Sequence, residues 1–227
     1  MGNTNFCIFN FNIFVYQMKL FILFLILILL FLPNPFWWNI SLFDYIQNCV
    51  RKFLIMKKIV PMNTKTSKDN LFVFDDIMKK LEIEYWLSEG TALGAIREQG
   101  FIPGDDDVDT GMHYMYREKF IKEGLPLLKK AGFKLVFSWC HGNNFGFMRN
   151  NEKLDVDIVQ PGGKCIACVT KHAMCKTCDE MIPHLNNMET IDFLGRSFTV
   201  PSEDYLVYLY GEDCRVPLKN KELVIMI

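Results

Sequence analysis

The sequence has no surplus of either charge. Its 25 lysines and arginines stand against 26 aspartates and glutamates, a formal net charge of −1. Without a basic excess, nucleic acid or another polyanion is not an expected partner. Histidine is scarce: His113, His141, His172 and His184 show no ligand spacing among themselves, and a lone histidine is more often a satisfied or solvated side chain than a metal ligand. No segment recurs at a fixed period, so a repeat architecture is excluded. Beyond one apolar run there is no low-complexity tract. Small residues are missing just after that run, where Pro33-Asn34-Pro35-Phe36-Trp37-Trp38 stands, so removal of the run by a signal peptidase is not expected.

What is there begins with the run itself. Residues 20–32 are thirteen uninterrupted apolar residues with Lys19 in front of them, which reads as an uncleaved signal anchor spanning the membrane once. Trp37 and Trp38 suit the membrane interface. The rival is a buried helix of the globular domain, but a core helix rarely lacks a polar face altogether. The expected organisation is an N-terminal region over 1–32, a stem over 33–65 that turns basic near Arg51 and Lys52, and one domain over 66–227. A lumenal domain in the Golgi or endoplasmic reticulum is the expected location, with Asn39-Ile40-Ser41 as a glycosylation sequon on that side.

Within the domain, apolar spacing predicts a helix over 70–81, with Leu71, Phe74, Ile77, Met78 and Leu81 on one side and Lys79 and Lys80 turned outward. A short aromatic strand over 84–88 leads into Gly90-Thr91 and a helix. Residues 116–131 read as a helix interrupted near Pro126. Strands follow over 133–139, 145–149 and 154–159, the first two joined by the turn residues His141-Gly142-Asn143-Asn144. The mixture predicts an α/β (α+β) fold.

The chemistry is expected in Gly104-Asp105-Asp106-Asp107-Val108-Asp109 and Leu154-Asp155-Val156-Asp157. Two residues apart in a strand, Asp107 and Asp109 project to one face and can approach one hard cation. Asp155 and Asp157 repeat the geometry, and two such pairs brought together can hold one or two divalent ions. The same alternation sends Asp106 to the opposite face. Bare Asp-x-Asp pairs are common in solvated turns. Here Gly90-Thr91 stands upstream at a strand-to-helix turn, where free backbone N–H groups can receive a phosphate.

Three separated segments, in order, resemble the LicD/fukutin family. They are Trp86-Leu87-Ser88-Glu89-Gly90-Thr91-Ala92-Leu93-Gly94-Ala95-Ile96-Arg97, then Phe101-Ile102-Pro103-Gly104-Asp105-Asp106-Asp107-Val108-Asp109, then Val200-Pro201 with Tyr205-Leu206-x-x-Leu209-Tyr210-Gly211-x-Asp213-Cys214-x-x-Pro217. The resemblance implies a nucleotidyltransferase-like mixed sheet flanked by helices. It also implies metal-dependent transfer of a phosphorylated small alcohol, of the phosphocholine or ribitol phosphate type, from a CDP-activated donor to a glycan or glycoprotein acceptor. Carried over by position, Gly90, Thr91 and Arg97 would meet the donor phosphate. Asp107, Asp109 and Asp157 would hold Mg²⁺ or Mn²⁺, and Asp105 and Asp155 would be supporting acids, either one a general base. Gly104 and Cys214 stand where the family usually has tryptophan. Their alternative implication is a catalytically silent, membrane-tethered relative acting as a binding or scaffold protein.

Cys165, Cys168, Cys175 and Cys178 place four of the eight cysteines within fourteen residues. Two Cys-x-x-Cys pairs offer four thiolates to one structural Zn²⁺. In an oxidising lumen the same thiols could instead form two disulfides, and free thiols are the third alternative. Cys7, Cys49, Cys140 and Cys214 read as small apolar residues.

Overall fold

Asn63 opens the first helix, its side chain accepting the Thr66 N–H at 3.0 Å, a cap worth about 1 kcal/mol. The helix α1 (Thr64–Lys80) buries Leu71, Phe74 and Met78 completely. It begins six residues before the apolar spacing starts, because the cap sits ahead of a polar first turn and a half that carries no apolar stripe. This computed structural model describes residues 62–139, 142–161 and 181–216. The apolar run over 20–32, nearly all of the stem and the four clustered cysteines lie outside the described residues. Among the described residues no helix is long and apolar enough to cross a membrane.

After α1 come β1 (Tyr85–Leu87), α2 (Glu89–Arg97) and β2 (Asp107–His113). The helical segment α3, over 114–130, changes pitch along its length. A 3₁₀ turn at Tyr114–Tyr116 leads to an α turn at Arg117–Lys119, a π turn at Phe120–Gly124 and a closing α-helix at Leu125–Lys130. Pro126 does not break it from within. It lies in the first turn of the closing piece, where its missing N–H is tolerated, and the irregularity falls before it in the π turn.

Next are β3 (Lys134–Trp139), β4 (Asn144–Arg149) and β5 (Glu152–Val159). These join β1 and β2 in one sheet of order β1-β2-β5-β4-β3. β2 and β5 run parallel and every other neighbouring pair is antiparallel, so the mixed sheet expected from the sequence is present. Phe120, Phe145, Phe147 and Leu154 meet in the core beneath it, all at most 2% exposed.

A separate hairpin, β6 (Met188–Phe193) and β7 (Arg196–Pro201), turns on Leu194 and Gly195. Both have positive φ, 57° and 89°, the backbone that a two-residue hairpin turn requires. Arg196 ties this hairpin to α1, bonding Asp75 at 3.0 Å and Asp76 at 2.7 Å and lying 4.1 Å from the centre of the Phe72 ring. The last helix is α4 (Glu203–Tyr210), whose Tyr205 is fully buried.

Candidate active site

Register decides which acids meet. β2 and β5 pair with Asp107 opposite Lys153, Asp109 opposite Asp155 and Gly111 opposite Asp157. Alternate residues share a face, so a row of Asp107, Asp109 and Gly111 lies beside a row of Lys153, Asp155 and Asp157. Carboxylate oxygens of Asp107, Asp109 and Asp155 come within 4.8 Å of one another, and those of Asp105, Asp106 and Asp107 form a second such group.

Two expectations change here. Asp157, implied by the family resemblance as the third metal ligand, belongs to neither group. The stagger of the pair sets it level with Gly111, one step past Asp109, and Asn144 of β4 donates a hydrogen bond to its Oδ1. Asp155 is the residue of β5 that completes the first group. Asp106 does not sit on the opposite face from Asp107, because β2 begins only at Asp107 and strand alternation does not reach back into the turn before it. Its N–H bonds Asp105 Oδ1 at 3.1 Å and its carboxylate joins the second group.

The N-terminus of α2 closes over this face. Its first helical bond is Ala92 N–H to the Ser88 carbonyl, and the N-terminal end of a helix dipole favours negative charge. A Cβ on Gly90 would stand 2.7 Å from Asp105 Oδ2 and 3.5 Å from Asp109 Oδ2. Gly90 is therefore a point of close approach between helix and carboxylates. Thr91 is 1% exposed, and its Oγ1 accepts the Asp109 N–H at 2.8 Å. Its hydroxyl oxygen holds the backbone of β2 at Asp109. Arg97 lies at the far end of α2, about 10 Å away at 1.5 Å per residue. There it bonds Glu98 at 2.8 Å and the Cys214 carbonyl at 3.1 Å, which ties α2 to the C-terminal segment.

Two residues at the centre had no place in the expected site. Lys153, 7% exposed, donates to Asp107 Oδ2 and Asp155 Oδ2, both at 2.6 Å. Glu89 opens α2 with φ of 41°, a left-handed conformation uncommon outside glycine. Lys153 was legible as the start of Lys-x-Asp-x-Asp, in phase with both acids. Glu89 carried no signal beyond its place in the family motif.

Desolvation in company with like charge raises these acids. Burial, then Asp157 and Asp107, lift Glu89 to about 8. Burial and Asp107 lift Asp105 to about 7. Burial raises Asp155 to about 7 against the opposing pull of Lys153, and Asp157 to about 6 against its bond from Asn144. Burial and Asp107 hold Asp109 well above the usual carboxylate range. For Lys153, burial alone would lower the ammonium, but Asp155 and Asp107 keep it well above its ordinary value. The Tyr210 phenol is raised by burial and by Glu89, Asp109 and Asp105, so α4 forms part of the wall.

Residues 82–203 match the family described as LicD/FKTN/FKRP, nucleotidyltransferase domain. The chain is 29% identical over 175 residues to the ribitol-5-phosphate transferase FKTN of Mus musculus, covering 69% of this chain and 34% of that protein. It is 44% identical over 48 residues to the lipopolysaccharide cholinephosphotransferase LicD of Haemophilus influenzae, covering 21% of this chain and 18% of that one. The chain thus spans about a third or less of the length of these two relatives. Among solved structures it is similar to the lincomycin-bound lincosamide antibiotic adenylyltransferase LnuA, with a TM-score of 0.42 and 15% identity over 63% of this chain and 85% of that one.

Proposed function

The chain belongs to the LicD/FKTN/FKRP nucleotidyltransferase-domain family, and from that membership we propose that it is a metal-dependent phosphotransferase. Its substrate class is a phosphorylated small alcohol on a CDP-activated donor, passed to a glycan or glycoprotein hydroxyl. The observation that carries this reading is the convergence of Asp107, Asp109 and Asp155 within 4.8 Å. The set fits a hard divalent ion: its donors are all carboxylate oxygens, and Asp155 Oδ1 is buried without a hydrogen-bond partner. Bound Mg²⁺ or Mn²⁺ would supply neutralisation of the phosphoryl oxygens.

The remaining work falls to side chains. Asp105, raised to about 7, has the pKa suited to taking a proton near neutrality. Asp155 is less available, since Lys153 holds it. The acceptor hydroxyl loses its proton to Asp105, its oxygen bonds to the phosphorus that bears the alcohol, and the bond from that phosphorus to the CMP oxygen breaks. Gly90 leaves room for the Asp105 carboxylate to lie against the start of α2, where helix N-terminal N–H groups can receive a phosphate. Attachment to a membrane through residues 20–32 and a zinc staple at the clustered cysteines are further parts of the proposal that rest on sequence pattern.

The rival, a silent binding relative, draws support from Lys153, which neutralises two carboxylates without any ion. The deciding experiment incubates the purified chain with Mn²⁺ and CDP-ribitol or CDP-choline and follows CMP. Release that depends on both the ion and an acceptor supports transfer. Donor binding without CMP release supports the rival.

A further inference from the structure

Lys153 is built into the acid face and is not a surface cation that has folded inward. The parallel register sets it opposite Asp107, in the same row as Asp155. Its ammonium lies 2.6 Å from one oxygen of each and 5.2 Å from the centre of the Phe137 ring, whose face adds a favourable quadrupole. With 7% of the side chain exposed, no solvated alternative is within easy reach.

The bonding of Asp155 is divided. Oδ2 accepts from Lys153, while Oδ1 is buried with no partner. A buried acceptor left unmatched costs about 1–3 kcal/mol, so it marks a place where another cationic or donor group belongs. Asp109, 9% exposed, offers an oxygen within 4.8 Å of one from Asp107 and one from Asp155. A carboxylate with one oxygen on each of two cations is how paired-metal phosphoryl-transfer sites are bridged, the ions lying about 3.5–4 Å apart. Here one of the two cation positions is already filled by the protein.

We infer that Lys153 takes the second cation position, so that this face accepts a single divalent ion, held by Asp109 with Asp107 and the unpartnered Oδ1 of Asp155. This rests on the proposed metal-dependent reading. Within Asp107, Asp109 and Asp155 alone, three ionised carboxylates are matched by one ammonium and one divalent ion. The fixed ammonium then supplies the permanent half of a clamp whose other half comes and goes with the metal.

The test is electron paramagnetic resonance of Mn²⁺ bound to the purified chain, which distinguishes an isolated ion from an exchange-coupled pair whether or not ions bind elsewhere. The wild type should show isolated Mn²⁺ at every loading. Lys153→Met should show a coupled pair, and Lys153→Arg, which keeps the charge, should return to the isolated signal. A coupled pair in the wild type overturns the inference, as does an isolated ion in Lys153→Met. Should Lys153→Met unfold in chelator, refolding by Mn²⁺ with a coupled spectrum supports it and failure of Mn²⁺ to refold it overturns it. A wild type that shows no Mn²⁺ signal lost on Asp109→Asn substitution overturns the metal reading beneath it.

Discussion

The Thr91 hydroxyl accepts the backbone N–H of Asp109 at 2.8 Å, and the neighbouring Ser88 N–H donates to the Asp109 carbonyl at 3.0 Å. The start of α2 thus grips the peptide groups on both sides of a single carboxylate-bearing residue. Thr91→Val removes the acceptor at nearly constant shape and strands a buried N–H, so it should weaken Mn²⁺ binding about tenfold and cost about 1–3 kcal/mol of stability. Thr91→Ser should keep most of both. Calorimetric titration with Mn²⁺ and urea unfolding of the two variants measure this. Equal Mn²⁺ affinity in Thr91→Val and wild type would remove the positioning role.

Gly90 is the second point of contact. Gly90→Ala puts a methyl group 2.7 Å from Asp105 Oδ2, and that carboxylate must move. Transfer should fall at least tenfold with the fold retained, as judged by circular dichroism and CMP release. An active Gly90→Ala protein would show that Asp105 can shift without consequence.

Asp155 and Asp157 are separated by a single residue and by their expected roles. Asp155→Asn should reduce CMP release by about 100-fold or more, on the scale of losing a principal electrostatic contribution. Asp157→Asn, outside the triad and held by Asn144, should do markedly less. The reverse order would restore Asp157 as the metal ligand.

Proton linkage has a definite sign in this site. Glu89 titrates near 8, Asp105 and Asp155 near 7 and Asp157 near 6 in the folded protein, against about 4 when unfolded. Between about pH 4 and 8 the folded state therefore binds protons that the unfolded state has released, and stability falls as pH rises through that window. In chelator the melting temperature should be lower at pH 8 than at pH 5. Mn²⁺, which competes with those protons, should raise it more at pH 8. A melting temperature in chelator that climbs toward pH 8 would contradict the assignment.

Gly111 lies beneath Trp86. The indole edge occupies the place where a Cβ on Gly111 would stand, inside van der Waals contact, and Trp86 is 3% exposed. Gly111→Ala should cost about 1–3 kcal/mol through overpacking, read as a lower urea midpoint. An unchanged midpoint would mean that the ring moves freely.

Helical apolar spacing was enough to find α1, aromatic content and the Gly-Thr turn pointed to β1 and α2, and short apolar segments bounded by turn residues pointed to β3, β4 and β5. They could not supply the stagger between β2 and β5, a non-local quantity that decides whether Asp155 or Asp157 stands beside Asp109. Arg97 belongs to the same motif as Gly90, yet helix rise carries it to the other end of α2. Asp106 was assigned by alternation, which holds only inside a strand. The β6–β7 hairpin was missed because Met-Glu-Thr-Ile-Asp-Phe shows weak alternation and its Leu-Gly turn departs from the usual Asn-Gly signal. Lys153 was overlooked in the search for carboxylates, although it shares their phase.

The parallel pairing of β2 with β5 also has a kinetic side. Asp107 and Lys153 are 46 residues apart in the chain, and α3, β3 and β4 must be laid down between their strands. Closing so long a connection delays the pairing relative to local hairpins such as β3–β4. During synthesis the Asp-rich turn emerges well before its ammonium partner, as a loose anionic segment that water and passing cations can screen. The geometry of the mixed group is then a late acquisition of the polypeptide, and a chain released before β5 would carry every residue of the first acid row without Asp155 or Lys153 beside it.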